Sequence, residues 1–489
     1  MKFILNNKPC EIHDLDPNMT LLRFLRTKAR LAGTKEGCAS GDCGACTVLV
    51  KDENASWYSV NSCITLLGQI VGKSVLTTEG LGSADNLHPV QQAMVDCHGS
   101  QCGFCTPGFV MSLAGLYQKA LNSNSSELSK DEVGDAISGN LCRCTGYKPI
   151  LEAGKSMLDY PEKPIAEKPI TKKTGAIDVA HGLNPVMSYG SRQLYQPTTE
   201  DKLQTLLKNY PSAILVAGGT DIILEISQRY QRFDTIISVS EVDELKKLTL
   251  DDKYLIIGAG ASYSAIESLV APLSTPFYQL LHRLGSRQIR NRGTLGGNIA
   301  NASPIADTPP ILIAWQAEVE IVSNTGERTW TPITDYYLDY KRTILNQGQY
   351  LAAIRIPCAN IKLPHRFFKL SKRFEDDISA AMLAVSVELD NDLIKTIRIA
   401  LGGVAAVPFK ALKTEASLTG QTINDESLKT ACEILATEIS PLSDVRASAK
   451  YRLAMTGNLL KKALIEIRDN TSIEVFHYPE VNVEGQLHA

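Results

Sequence analysis

Cysteine placement constrains this 489-residue chain more than any other feature. Ten of the twelve cysteines precede residue 150, and only Cys358 and Cys432 follow. Cys38, Cys43 and Cys46 lie in "GCASGDCGAC" with the spacing C-x4-C-x2-C, and Cys63 follows in "VNSC". A second group has Cys102 and Cys105 in "QCGFCTPG", then Cys142 and Cys144 in "GNLCRCTGY". The N-terminal third therefore carries a thiol chemistry that the rest of the chain lacks.

The first spacing is that of plant-type [2Fe–2S] ferredoxins. A loop that wraps such a core must curve tightly and bring N–H groups to sulfur, which Gly37, Gly41 and Gly44 permit. Structural zinc sites use four cysteines as well, usually as two C-x2-C pairs, and this order fits them poorly. A C-x2-C pair alone could be a redox dithiol. That reading leaves the following C-x-C pair without a purpose.

Around the second group the pattern is helical. Apolar residues recur at helical spacing over Pro89–Cys97 and Gly108–Leu121, and Ser129-Lys130-Asp131-Glu132 reads as a capped start running into Val133–Ser138. Pro107 and Pro149 fall at helix boundaries. The expected object is a small bundle whose inter-helix turns carry the cysteine pairs. Upstream, Lys2–Leu5 and Cys10–His13 are expected to form a hairpin about Asn6-Asn7-Lys8, and Thr47–Lys51 and Ser59–Ser62 a second one. Cys10 and Cys97 read as ordinary cysteines.

Composition sets outer limits. The length suggests roughly two to four domains. A hydrophobic content of 44%, a charged content of 21% and a net charge of −3 give no footprint for nucleic acid or an anionic membrane. The start lacks the apolar run of a secretory signal, and no stretch is apolar enough to span a bilayer. Thiol-rich and without such a signal, the chain is expected to be cytoplasmic and free of disulfides.

From Tyr160 to Gly182 the chain is rich in proline, lysine and glutamate and reads as an extended linker. Beyond it, "ILVAGGTD" predicts a strand, Ile214–Ala217, entering the turn Gly218-Gly219-Thr220-Asp221, whose bare N–H groups suit a phosphate. "GTLGGNIANASPIADTPP", Gly293 to Pro310, is rich in small and turn residues and poor in charge, as a ligand-cradling loop is. Gly258-x-Gly260 fails as a dinucleotide fingerprint because Tyr263 stands where glycine or alanine is needed.

Together, the four cysteine motifs resemble the iron–sulfur portion of the xanthine dehydrogenase/molybdenum hydroxylase family, in that family's order. The downstream motifs resemble its flavin domain, of the vanillyl-alcohol-oxidase type, and "SDVRASAKYR" its C-terminal flavoprotein domain. The resemblance implies an α+β multidomain chain: a β-grasp ferredoxin-like domain (1–83), a four-helix-type [2Fe–2S] bundle (84–159), a linker (160–185), an FAD-binding domain (186–361) and a C-terminal α+β domain (362–489). By the same resemblance Cys38, Cys43, Cys46 and Cys63 ligate one cluster and Cys102, Cys105, Cys142 and Cys144 the other. FAD would be held by Leu215, Val216, Ala217, Gly218, Gly219, Thr220, Asp221, Gly293, Thr294, Gly296, Gly297, Asn298, Ser303, Asp307, Leu351 and Lys369. The acidic run Glu375-Asp376-Asp377 would face the pyridine nucleotide side, or else be a solvated helix start. Gln101 would contact a pterin across an interface.

What the family implies for function is an electron relay with no catalytic residue on this chain. Substrate oxidation would occur at a molybdopterin centre on a separate large subunit. Electrons would pass through the bundle cluster, the ferredoxin-like cluster and FAD to NAD+, serving hypoxanthine and xanthine oxidation in a heterotetramer of two small and two large subunits. The same relay serving an aldehyde or N-heterocycle hydroxylase, and a zinc-bound interaction protein, are the alternatives.

Overall fold

The computed structural model describes residues 1–53, 55–166, 182–374 and 376–472. The chain divides into two compact units, Met1–Val242 with Gly285–Gly293, and Asp243–Leu284 with the chain from Thr294 onward.

The first unit opens with a five-stranded sheet of β1 (Lys2–Leu5), β2 (Lys8–Glu11), β3 (Thr47–Lys51), β4 (Tyr58–Asn61) and β5 (Ser74–Leu76), ordered β2-β1-β5-β3-β4. β1 and β5 are parallel and the other pairings antiparallel. The first hairpin turns on Asn6 and Asn7 alone, both at positive φ, so β2 starts at Lys8 and not at the expected Cys10. Asparagine tolerates the left-handed region that such a two-residue turn demands. β4 likewise begins one residue earlier than expected, at Tyr58.

A helical bundle follows: Pro89–Asp96, Thr106–Asn122, Lys130–Ile137 and Lys148–Ser156. Ser129 and Glu132 form the expected capping box, and Pro107 and Pro149 sit in first helical turns. Phe109, Leu113, Tyr117, Val133 and Ile150 fill its core. The start of the expected linker packs on the bundle. Ile165 is buried in the bundle core, its N–H donating to Gln118 Oε1 at 2.8 Å. An apolar side chain at that position docks despite its polar setting. Residues 167–181 of that segment lie outside the described residues.

A smaller sheet of β6 (Met187–Tyr189), β7 (Arg192–Tyr195), β8 (Ile214–Val216) and β9 (Thr235–Ser238), ordered β6-β7-β9-β8, completes this unit. Leu194, Val216 and Ile236 share one core with Leu21, Leu25, Val60 and Ile64 of the ferredoxin-like part.

The second unit holds an antiparallel sheet of β10 (Leu248–Leu250), β11 (Tyr254–Gly258), β12 (Glu318–Val322), β13 (Arg328–Pro332) and β16 (Tyr350–Pro357), ordered β10-β11-β16-β12-β13. β14 (Tyr337–Asp339) and β15 (Arg342–Thr343) form a small hairpin. β17 (His365–Leu370), β18 (Ala381–Asp390), β19 (Leu393–Gly402) and β20 (Phe409–Lys410) make a four-stranded antiparallel sheet. The long helices Asp425–Glu438 and Ala449–Arg468 share its core through Leu428, Leu435, Leu460 and Leu464. Residues 473–489 lie outside the described residues.

Candidate redox centres

The first cysteine loop brings its four thiols together. The Cys43 and Cys63 thiols point to the sulfur of Cys38, and Cys63 also to that of Cys46. Those two donors, with Ser40, hold Cys38 far below the ordinary thiol range, and the Cys63 thiol holds Cys46 low. Cys43, facing Cys38, and Cys63, facing Cys38 and Cys46, are pushed up in turn. Backbone N–H groups of Ser40 and Cys43 each donate to Cys38 Sγ at 3.4 Å. N–H groups aimed at a sulfur favour its thiolate, the form a metal requires. The loop closes tightly, since a Cβ on Gly37 would meet Cys43 Sγ at 2.7 Å.

The second group converges too. Cys105 faces Cys142, and Cys102 faces Cys144. Burial and then the Cys142 neighbour push Cys105 up to about 12. Burial opposes ionisation of Cys142, but the Thr145 hydroxyl and the Thr145 and Cys144 N–H groups outweigh it and hold that thiol low. Thr145 N lies 3.4 Å and Thr145 Oγ1 3.1 Å from Cys142 Sγ. Each pair sits just before a helix, Cys102 and Cys105 before Thr106–Asn122, and Cys142 and Cys144 before Lys148–Ser156. Cys102 and Cys144 are exposed, as are Phe104 and Leu141. Both groups thus offer four sulfurs, part of them readily ionised, with N–H donors already directed at them.

The two loops touch. Leu141, next to Cys142, donates its N–H to the Cys43 carbonyl at 3.0 Å. Asn140 Nδ2 donates to the Gly44 carbonyl at 3.0 Å. A Cβ on Gly108 would stand 2.2 Å from that same oxygen, so only glycine admits the approach.

In the first unit the Ala217–Gly219 turn also abuts the ferredoxin-like part. Gln69 Nε2 donates to the Ala217 carbonyl at 2.9 Å. Arg292 bridges Gln69 Oε1 at 2.7 Å and the Gly218 carbonyl at 3.1 Å. A Cβ on Gly219, at φ +80°, would lie 3.5 Å from the carbonyl oxygen of Ile64, the residue after Cys63. Gly218 itself packs on the Arg292 carbonyl, 1.9 Å from where its Cβ would be, which brings Gly293 beside the turn. The predicted strand ends at Val216, one residue early, because the chain turns at Ala217 to meet Gln69.

In the second unit Thr294 caps the Leu295–Ala300 helix, its hydroxyl accepting from Gly297 N at 2.9 Å. A Cβ on Gly296 would strike Ala259 at 2.4 Å. Asn298 Oδ1 accepts from Thr308 Oγ1 at 2.6 Å, and Ser303 Oγ from Ile305 N at 3.4 Å. Leu351 is buried on β16. Lys369 and Asp307 form a buried ion pair at 2.8 Å; Lys369 also donates to the Arg283 carbonyl at 2.7 Å, and Ser379 to Asp307 at 2.5 Å. Thr294, Asn298 and Ser303 place hydroxyl and amide groups able to hydrogen-bond ligand oxygens along these segments. Tyr263 lies buried at the start of a helix after the Gly258–Gly260 turn.

The acidic run is no helix start. Asp376 has φ +54°, and Asp377 instead accepts from Arg373 N at 2.9 Å in the loop between β17 and β18. Glu375 lies outside the described residues. Gln101 is exposed beside Cys102. Sequence reasoning missed Gln69, Arg292 and Asn140, whose partners stand far away in the chain. The polar run "GSRQIRNRG", ending at Gly293, was the signal available for Arg292, and "GNLCRCTGY" contains Asn140.

Comparison with known proteins agrees with this layout. Residues 3–68 match the 2Fe-2S iron-sulfur cluster binding domain, and residues 77–155 the [2Fe-2S] binding domain. Residues 188–359 match the FAD binding domain in molybdopterin dehydrogenase, and residues 366–467 the CO dehydrogenase flavoprotein C-terminal domain. Xanthine dehydrogenase of Emericella nidulans is 33% identical over 87% of this chain and 35% of its own length. Xanthine dehydrogenase 1 of Arabidopsis thaliana is 30% identical over 93% and 39%, respectively. The chain thus spans well under half the length of these relatives. Among solved structures, carbon monoxide dehydrogenase from Hydrogenophaga pseudoflava aligns with a TM-score of 0.55 and 26% identity, over 59% of this chain and 100% of that one. The cyanide-inactivated Cu,Mo-CO dehydrogenase aligns with a TM-score of 0.54 and 25% identity, over 58% and 99%. Quinoline 2-oxidoreductase from Pseudomonas putida 86, at 23% identity and a TM-score of 0.53 over 58% and 99%, shares the fold. No helix among the described residues is long and apolar enough to cross a membrane.

Proposed function

The chain belongs to the molybdenum hydroxylase family through its iron–sulfur and flavin domains, and on that premise we propose that it is the electron-transfer subunit of a xanthine dehydrogenase. Its partner is a molybdopterin-bearing large subunit, its terminal acceptor NAD+, and the reactions it serves are hypoxanthine to xanthine and xanthine to urate. Two small and two large subunits assemble as a heterotetramer. When bound, two [2Fe–2S] clusters and FAD supply one-electron carriage and its conversion to hydride transfer.

One observation carries the reading. A short run of contacts joins the second cysteine group to the first, through Leu141 and Cys43, and the first to the Gly218–Gly219 turn, through Cys63 and Ile64. The residues of this chain position, shield and tune. Ser40, Cys43 and Thr145 direct N–H groups at ligand sulfurs, which favours the thiolate and raises reduction potential. Cys46 and Cys63 are buried, whereas Cys102 and Cys144 are exposed with Phe104 and Leu141 beside them. That exposed, partly apolar edge fits contact with the molybdenum subunit. The purine assignment is supported by xanthine dehydrogenase relatives matching nearly the whole chain.

The test is co-expression with a molybdenum-bearing partner, quantification of iron and flavin, and an assay of xanthine-dependent NAD+ reduction. About four iron atoms and one FAD per chain, with NAD+ reduced, are expected. A loaded complex that oxidises an aldehyde or N-heterocycle but not xanthine would shift the reading to another hydroxylase. A colourless chain with stoichiometric zinc would end it.

A further inference from the structure

Between the two cysteine groups lies a buried polar hub whose centre comes from neither. Gln288 is 1% exposed and belongs to the single-turn helix Arg287–Arg290, within the Gly285–Gly293 segment of the first unit. Its Nε2 lies 2.9 Å from Asn140 Oδ1, 3.0 Å from Ser112 Oγ and 3.3 Å from Thr47 Oγ1. Thr47 follows Cys46, and Asn140 stands two residues before Cys142. Thr47 Oγ1 and Asn140 Nδ2 both donate to the Gly44 carbonyl, at 2.7 and 3.0 Å, inside the first loop. Ser112 Oγ donates to Asn140 Oδ1 at 2.6 Å. One amide thus reads the position of both loops at once.

The flanking residues of the segment have other tasks. Arg287 and Arg290 pair with Asp135 on the Lys130–Ile137 helix. Asn291 donates to the Ser59 carbonyl at 2.9 Å, and Arg292 holds the Gly218 turn. The ion pairs and the Arg287 N–H, which donates to Ser138 Oγ at 3.4 Å, tether the segment to the bundle beside Gln288's own bonds to Ser112 and Asn140. Gln288 is buried at the seam where the two loops meet, with Oε1 left without a hydrogen-bond partner. Keeping a polar side chain there is costly unless its donors matter.

We propose that Gln288 is a positioning residue that fixes the first cysteine loop against the second, so that electron passage between their metal centres depends on it; this rests on the relay reading above. A hydrogen-bond hub in which one amide donor serves acceptors on both loops defines one loop-to-loop geometry, where an apolar filler would allow several. It also orients the Asn140 and Thr47 dipoles that flank ligand cysteines, which acts on cluster potential.

The test uses the full chain with its iron–sulfur sites reconstituted. Gln288→Met keeps length and apolar fill but removes the amide donors. Thr47→Val, nearly isosteric, removes the acceptor for Gln288 on the first loop together with the donor to the Gly44 carbonyl. Arg287→Gln weakens the tether to Asp135 and leaves the hub intact. Iron is counted first. Low-temperature EPR during stepwise reduction then reads the magnetic interaction between the reduced centres and the midpoint potential of each. Gln288→Met and Thr47→Val are expected to retain full iron, weaken the interaction and shift at least one midpoint. Arg287→Gln is expected to lower the unfolding temperature and leave both EPR quantities unchanged. The proposal is overturned if Gln288→Met and Thr47→Val match the unaltered chain in both, or if Arg287→Gln moves them equally. If Gln288→Met does not fold, Thr47→Val decides alone. An unaltered chain that takes up no iron brings down the relay reading, and this proposal with it; the iron count separates that failure from failure of the proposal alone.

Discussion

The N–H of Leu141 donates to the carbonyl oxygen of Cys43 across 3.0 Å, joining the peptide beside one candidate ligand to the peptide of another. Beside that bond Gly44 has φ +65°, and a Cβ there would stand 2.2 Å from the Gly139 carbonyl. Gly44→Ala is therefore expected to cost about 2–4 kcal/mol, combining left-handed strain with a backbone collision. Gly134, inside a helix with nothing within 4 Å of its missing Cβ, is the control. Gly134→Ala is expected to stabilise by about 0.5–1 kcal/mol. Urea unfolding of both variants checks the contrast.

The cysteines divide into eight that converge and four that do not. Cys63→Ser is expected to lower iron from about four to about two atoms per chain, by emptying one site. Cys142→Ser is expected to do the same at the other site. Cys358→Ser and Cys10→Ser are expected to leave iron unchanged, since Cys358 bonds the Asp251 carbonyl and Cys10 lies on β2. Colorimetric iron analysis of anaerobically purified variants reads all four. An equal loss in Cys358→Ser would refute the assignment.

The cysteine spacings made the two candidate centres legible because ligand order along a loop is local information. The helices Thr106–Asn122 and Lys130–Ile137 were legible for the same reason, through period and capping residues. The first hairpin slipped by two residues because the choice rested on the conformation of Asn6 and Asn7, which apolar patterning does not encode. The helix-start alternative for the acidic run failed because Asp376 and Asp377 resemble a helix N-terminus in composition, while the strands on either side leave only a loop. Gln69, Gln288 and Arg292 were invisible as site residues. Their meaning lies in partners up to 241 positions away, and no periodicity points across such a distance.

Lys369 and Asp307 make a buried ion pair, with Ser379 completing the carboxylate's bonds. Removing one partner strands a charge in the interior. Lys369→Met is expected to destabilise by about 3–5 kcal/mol and Asp307→Asn by a comparable amount. The double variant is expected to recover part of the loss, since two neutral side chains leave no stranded charge. Thermal unfolding gives the stability series, and flavin absorbance of each purified variant reports whether the pair also supports the candidate FAD segments. Additive losses in the double variant would refute the coupling.

His88 supplies an acid-sensitive point in the bundle. It is 1% exposed, and its Nδ1 accepts from Val90 N at 3.3 Å, capping the Pro89–Asp96 helix. Burial lowers its pKa to about 4. The cap needs a neutral imidazole, because protonation would replace the acceptor with a donor and set a cation at the positive end of the helix. The unfolded chain binds its proton near pH 6.5, the folded chain only near pH 4. Between those values the unfolded state holds more protons, so stability falls as pH falls through that window and is flat above it. The loss from this group is at most about 3 kcal/mol at pH 4. His88→Asn keeps a capping acceptor without the titration. It is expected to lower stability at pH 8 through lost packing, yet to show a shallower decline from pH 6.5 to 4. Urea midpoints across that range for both proteins decide it: parallel declines would remove His88 as the titrating group.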